Sequence, residues 1–252
     1  MVKYNEIREE AINLFEQSKY KQLGDLVFDE LLTVDTVDEA VELLAMKAVV
    51  FQKLYKKFWP PEADDDVRAI RAQFAVDTPK EKMELAMARV GLNKAQIIIR
   101  DWRRQNRFKE AMSLIWNVEK VFRDQGLEAE VLFVQDEILR AQLEEFRAQG
   151  KESFIISEFI KNYETLISKM ETLLESGFGD QEKLKTWLLN AKFHFLRSLA
   201  YFGDKKARVL SAEVANEFSS RGDKAKSVAA TFYGLGEVGF YINQLLAKVK
   251  GE

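Results

Sequence analysis

Six residues at helical spacing carry the most legible chemistry in this chain of 252 residues: Arg89, Asn93, Gln96, Arg100, Arg103 and Arg107. At about 100° per residue they form one polar stripe. On the same segment Leu85, Ala88, Leu92, Ala95, Ile99 and Trp102 form an apolar seam about 100° away around the helix, so the cationic stripe flanks a buried face where a groove edge would sit. Arg104 adds a further guanidinium beside it. The guanidinium is a planar fork that grips a carboxylate or phosphate with two parallel hydrogen bonds, so the chemistry on offer is anion recognition. The competing expectation is a solvated face whose cations pair with the chain's own acidic first third.

Three other constellations invite chemistry and fail on context. Gly234-Leu235-Gly236-Glu237-Val238-Gly239 matches the dinucleotide-binding pattern G-x-G-x-x-G, but that pattern needs a strand before it and a second strand, with an acidic residue, about 20 positions on. Thirteen residues follow Gly239, so close helix approach, or a kink or break, is the expectation there. Asp64-Asp65-Asp66 evokes the metal-diphosphate motif of helical isoprenoid synthases, yet Arg68 and Ile70 stand one turn on, where carboxylates should recur. Acidic charge at a helix N-terminus accounts for it better. His194 is the sole His and has no Glu-x-x-His spacing, so it is expected to be structural; no catalytic, cofactor or metal residues are assigned.

Composition narrows the classes. With no Cys, a disulfide scaffold, thiolate metal ligation and a cysteine nucleophile are all excluded. Net charge is -3 overall, but residues 1–66 carry -7, residues 67–126 carry +6 and residues 127–252 carry -2. The basic middle interleaves Trp102 and Phe108 with arginines between Arg100 and Lys109. Both aromatics are better placed as core, which argues against nucleic acid as the partner. No apolar run reaches the roughly 18 residues of a membrane span, and a cytoplasmic location is the expectation.

The elements that must hold the stripe are helices. Ala, Leu, Glu, Lys, Gln and Arg dominate, and apolar residues recur at spacings of three and four, predicting eleven helices over 4–17, 20–33, 37–58, 66–75, 79–105, 107–125, 127–148, 152–176, 181–202, 205–220 and 224–249. Thr36-Val37-Asp38-Glu39 and Thr78-Pro79-Lys80-Glu81 read as capping boxes. Gly126, Gly150 and Gly177 read as helix stops, and Asp180, Asp204 and Asp223 as N-caps. Short links make consecutive helices antiparallel. The expected fold is all-α, a set of stacked antiparallel hairpins in one domain over 1–252, with a sub-division into 1–58 and 66–252 at the Trp59–Asp66 kink loop.

At its hairpin junctions the chain repeats one device. Leu14-Phe15-Glu16-Gln17-Ser18-Lys19-Tyr20-Lys21-Gln22-Leu23 and Trp102-Arg103-Arg104-Gln105-Asn106-Arg107-Phe108-Lys109-Glu110-Ala111 each end one helix, turn and start the next around a small or apolar residue. Gly203-Asp204-Lys205-Lys206-Ala207 and Gly222-Asp223-Lys224-Ala225 are shorter copies. These segments resemble the helical hairpin of tetratricopeptide repeats, with Ser18 at the turn glycine and Phe108 and Ala111 at the aromatic and small positions. The family's period of about 34 residues is missing. The resemblance implies a groove that binds a peptide or partner helix. Its carboxylate-clamp form is not matched, because Ile12 occupies the clamp position and Asn13 is displaced by one.

Together these features lead to a non-enzymatic interaction module that binds an acidic peptide or protein segment along Arg89, Asn93, Arg100, Arg103, Arg104 and Arg107, without a cofactor. A helical enzyme with carboxylate or metal chemistry and a nucleic-acid-associated protein are the alternatives. The wide apolar runs Ile97-Ile98-Ile99 and Phe154-Ile155-Ile156 with Phe159-Ile160 are expected either to lie centrally or to meet a second copy in a homodimer.

Overall fold

A computed structural model describes residues 2–105, 107–149, 155–177 and 179–249, with side chains described over 4–99, 107–147, 155–177 and 179–247. Among the described residues there are twelve α-helices and no strand: α1 Val2–Glu16, α2 Tyr20–Glu30, α3 Val37–Tyr55, α4 Pro61–Phe74, α5 Lys80–Gln105, α6 Phe108–Asp124, α7 Glu128–Gln149, α8 Ile156–Glu175, α9 Gln181–Tyr201, α10 Lys206–Ser220, α11 Lys224–Tyr233 and α12 Glu237–Val249. None of the described helices is long and apolar enough to cross a membrane. The chain is an all-α array of helical hairpins that sorts into two compact units, Met1–Leu127 and Glu128–Glu252. The Trp59–Asp66 segment lies inside the first of these units.

Local chemistry sets the helix ends. Thr36 Oγ1 accepts from Glu39 N at 3.3 Å while Glu39 Oε2 accepts from Thr36 N at 3.0 Å, a reciprocal box that starts α3. Asp180 and Asp223 accept from the amides of Lys183 and Lys226 and start α9 and α11, and Asp204 accepts from Lys206 N. Gly126 and Gly177 follow α6 and α8 in the left-handed conformation; Gly150 lies outside the described residues.

Two elements differ from the sequence expectation. α4 starts at Pro61 and not at 66, because Pro at the first helical position already holds a helical φ and needs no N–H partner; Asp64–Asp66 therefore sit inside the helix. The segment 224–249 is two helices, broken at Gly236, whose φ is +66°. Each glycine of the G-x-G-x-x-G segment has a structural reason, close packing at two positions and backbone conformation at the third. Gly234 lies against Ser211 of α10, Gly236 turns the chain, and Gly239 brings the start of α12 onto the Phe232 carbonyl.

In the first unit α3 packs against α1, α2, α4 and α5, and α5 packs against both α3 and α6. Ala88, Leu92, Ala95 and Ile99 of the apolar seam are buried, as are Ala86, Val90, Ile97 and Ile98 on α5's flanks. The wide apolar run there marks a central helix covered on two sides. Phe108 and Ala111 are buried at the start of α6.

In the second unit α9 is the hub, touching α7, α8, α10, α11 and α12. Its core holds Tyr163 stacked on Phe195 at 5.2 Å, with Phe159, Met170, Leu196 and Phe240 among the residues around them. Ile155 and Ile156 are exposed, whereas Phe159 is buried and Ile160 packs partly against the core. Phe154 lies outside the described residues.

Candidate partner-binding surface

Arg89, Asn93 and Gln96 of the polar stripe lie on α5 beside its buried seam, whereas Arg107 falls past the end of that helix at the N-cap of α6, and these described members divide into two electrostatic settings. Near the start of α5, Arg89 donates from Nη1 to Asp38 Oδ1 at 3.0 Å, and Lys82 approaches Asp38 Oδ2 at 3.3 Å. Asp38 stands there because it occupies the first turn of α3, just after the Thr36 cap, where a carboxylate also suits the helix dipole. All three side chains are about half exposed, so two cations share one carboxylate in contact with water. Asn93 follows one turn after Arg89 and is half-buried.

At the α5–α6 junction the cations are neutralised internally. Arg107 donates from Nε to Glu110 Oε2 at 2.6 Å and from Nη2 to Glu110 Oε1 at 2.8 Å, with Nη1 reaching the Phe58 carbonyl at 3.3 Å. Lys94 sits between Asp64 and Glu110, at 3.0 and 3.4 Å. Trp59, buried and left-handed at φ +54°, donates its indole N–H to Asp64 Oδ1 at 2.8 Å. The acid run at 64–66 therefore anchors the fold: Asp64 ties the loop to α5, and Asp66 meets Lys47 of α3 at 2.8 Å. The side chains of Arg100, Arg103 and Arg104 lie outside the described residues.

These pairs shift protonation in one direction. The two-pronged hydrogen bond from Arg107 holds the Glu110 carboxyl below its usual range. Burial pushes Asp64 up, but hydrogen bonds from Trp59 and Lys94 outweigh it and leave Asp64 lowered too. A carboxylate whose folded pKa is depressed contributes stability that is present above its unfolded pKa of about 4 and lost as pH falls through the folded value. Urea midpoints for unfolding of the first unit should therefore drop between about pH 5 and pH 2, and Glu110→Gln should flatten that dependence. An equally steep acid limb in the variant would remove Glu110 from the account.

The second unit contains a polar cluster that the sequence did not single out. Asp136 of α7, only 2% exposed, has Oδ2 2.7 Å from His194 Nδ1 of α9 and accepts from the Tyr163 hydroxyl of α8 at Oδ1, 3.2 Å away. Glu137 beside it is buried and accepts from Arg140 Nη1 at 2.6 Å. Burial, reinforced by the Asp136 charge, raises the Tyr163 hydroxyl well above its ordinary pKa, so it stays a neutral donor. Both oxygens of Asp136 are engaged and water barely reaches them, so the cluster clasps three helices together. The readable signal was position: Leu132, Asp136, Leu139 and Leu143 share one helical seam, so an acid stood where an apolar residue was due. His194 meets Asp136 from 58 positions away in the chain, a partner that no local spacing reveals.

A shallow cleft of about 250 Å³ between α7 and α8 is lined by Gln135, Gln142, Asn162, Thr165 and Lys169 among others. That is below the range of about 300–1,000 Å³ usual for small-molecule sites, whereas a more open hollow of about 550 Å³ beside Ser168, Thr172 and Leu173 of α8 falls within it. No family model, no curated protein and no solved structure matches this chain.

Proposed function

We propose that the protein works in the cytoplasm as a non-enzymatic interaction module that docks an acidic peptide or protein segment along the α5 edge. One observation carries this reading: half-exposed Lys82 and Arg89 converge on the single carboxylate of Asp38. Two cations against one anion leave a positive surplus at the surface, and Asp38 takes one N–H of a guanidinium shaped to give two in parallel. An incoming carboxylate completes the fork. Asn93 extends the receptor by one turn, and the helical register carries it on toward Arg100, Arg103 and Arg104. Arg107, engaged by Glu110, fixes the α5–α6 corner in this scheme and stands at the far end of the edge.

Asp38 is then the internal competitor of the ligand, which yields a prediction of unusual sign. A fluorescein-labelled peptide rich in Glu and Asp, followed by anisotropy, should bind several-fold more tightly to the Asp38→Asn variant. It should bind about tenfold more weakly, a loss of about 1.4 kcal/mol, to the Lys82→Glu, Arg89→Glu double variant. Added salt should weaken binding to the parent chain, because exposed charges are screened beyond about 8 Å at physiological ionic strength. Unchanged affinity in both variants would overturn the assignment.

A further inference from the structure

One nitrogen of the polar cluster in the second unit is uncommitted. His194 of α9 meets Asp136 through Nδ1 at 2.7 Å, and its side chain is 19% exposed while that of Asp136 is 3% exposed. In the neutral ring the proton therefore sits on Nδ1, toward the carboxylate, and the lone pair sits on Nε2. Nε2 has no hydrogen-bond partner among the described residues. The one buried side-chain atom without a hydrogen bond among them is Asp66 Oδ2, so Nε2 opens to solvent. The ring's orientation is fixed from behind, because Asp136 is itself held by the Tyr163 hydroxyl at 3.2 Å. A carboxylate that orients an imidazole in this way aims a nucleophilic nitrogen outward.

The groups beside His194 select what that nitrogen takes. Asn190 and Arg197 stand four positions before it and three after, on one face of α9 and about 6 Å and about 4.5 Å away along the helix axis. Arg197 is half-buried, and its one hydrogen bond among the described residues runs from Nη2 to Glu144 Oε1 at 2.8 Å. Arg147 donates to the same oxygen at 2.6 Å, so two guanidiniums meet one carboxylate there. On the other side Lys226 of α11 donates from Nζ to Asn190 Oδ1 at 3.2 Å, with Asp223 standing off at 3.6 Å. The imidazole thus lies between a guanidinium with donors to spare and an ammonium. Such donors suit the oxygens of a phosphoryl group, whereas an acyl group would leave both idle. The geometry points to His194 as a phosphoryl-accepting site, with Nε2 the accepting atom and Arg197 and Lys226 holding the phosphoryl oxygens. The Nε2 lone pair attacks the phosphorus of a donor of the phosphoramidate class, and a bond from Nε2 to phosphorus forms. The donor's own nitrogen–phosphorus bond breaks, and its electron pair leaves with the departing amine. The proton on Nδ1 stays with the ring, where Asp136 meets the positive charge that develops.

The test is reaction of the full chain with phosphoramidate at neutral pH, followed by phosphorus NMR; His194 is the chain's one histidine, so every phosphohistidine signal belongs to it. A capped peptide of residues 193–195 in the same buffer supplies the rate of an unshielded imidazole. The folded chain should react about tenfold faster than the peptide and give the Nε2 isomer alone. The Arg197→Gln, Lys226→Gln double variant should fall to the peptide's rate with an unaltered far-UV circular dichroism spectrum. A folded chain that reacts more slowly than the peptide, as a merely shielded histidine would, overturns the proposal. So does the Nδ1 isomer as product, or a double variant as fast as the parent.

Discussion

Replacing Gly239 by Ala is expected to destabilise the second unit by about 3 kcal/mol, among the largest effects of any single methyl added to this chain. A Cβ at this position would lie 2.6 Å from the Phe232 carbonyl carbon and closer still to its oxygen, inside the distance any real Cβ tolerates. The obstacle is backbone, not the end of a flexible side chain. That carbonyl also accepts the Leu235 amide at 2.9 Å in the turn, so it cannot swing aside without releasing a hydrogen bond. Relief requires α12 to lift from α11, which would disturb Phe240 against Tyr201 and Tyr233 and the Asn243 bond to Ala229. Urea unfolding of the variant should show the loss in the second unit. Gly91→Ala is the matched control, because its Cβ would meet only the Val118 Cγ2 at 3.4 Å; it should change stability by no more than about 1 kcal/mol. Equal effects at the two positions would refute the close-approach account.

Asp136→Ala should cost about 3–5 kcal/mol, because it takes one partner out of a buried polar cluster and leaves the others unsatisfied. The Tyr163 hydroxyl is wholly buried and would lose its acceptor, while His194 Nδ1 would lose a contact of 2.7 Å. The order of a short series is as informative as the size. Tyr163→Phe removes the donor and keeps the ring stacked on Phe195, so about 1 kcal/mol is expected. Asp136→Asn keeps the shape and one acceptor oxygen and should fall between the two. Chemical denaturation of the three variants checks the ranking, and a Tyr163→Phe loss as large as that of Asp136→Ala would place the energy in the ring's packing instead of the cluster.

The parts of the fold that follow from local chemistry were legible in the sequence. Thr36 and Glu39 are three residues apart and close a reciprocal box, and Asp180 and Asp223 cap helices through the third amide on. At two boundaries local signals compete, and the stronger one sets the helix end. Pro61 starts a helix more decisively than an acid run, so α4 begins five residues before 66. A glycine in a left-handed turn ends a helix more decisively than an apolar stripe continues it, so α11 and α12 are separate.

Legibility falls with sequence separation at the candidate site. The stripe bearing Arg89 and Asn93 could be read from helical spacing, and the pairing of Arg107 with Glu110 lies within one turn. The meeting of Arg89 with Asp38 spans 51 positions and depends on how α3 packs on α5. Asp136 and His194 are 58 positions apart, so nothing local could join them. What the sequence did show was an acid out of place on an apolar seam, and a buried partner is the physical explanation for such a residue.

The packing pattern also bears on how the chain is made. The helices of each unit contact mainly their neighbours in order, α1 with α2, α2 with α3, α5 with α6, α8 with α9 and α10 with α11. Loops closed over such short distances cost little entropy, and topologies of this kind reach their native state in microseconds to milliseconds. Translation adds about 5–20 residues each second, so every hairpin has ample time to settle as it leaves the ribosome, and the residues up to Leu127 can complete their core while the remainder is still being synthesised.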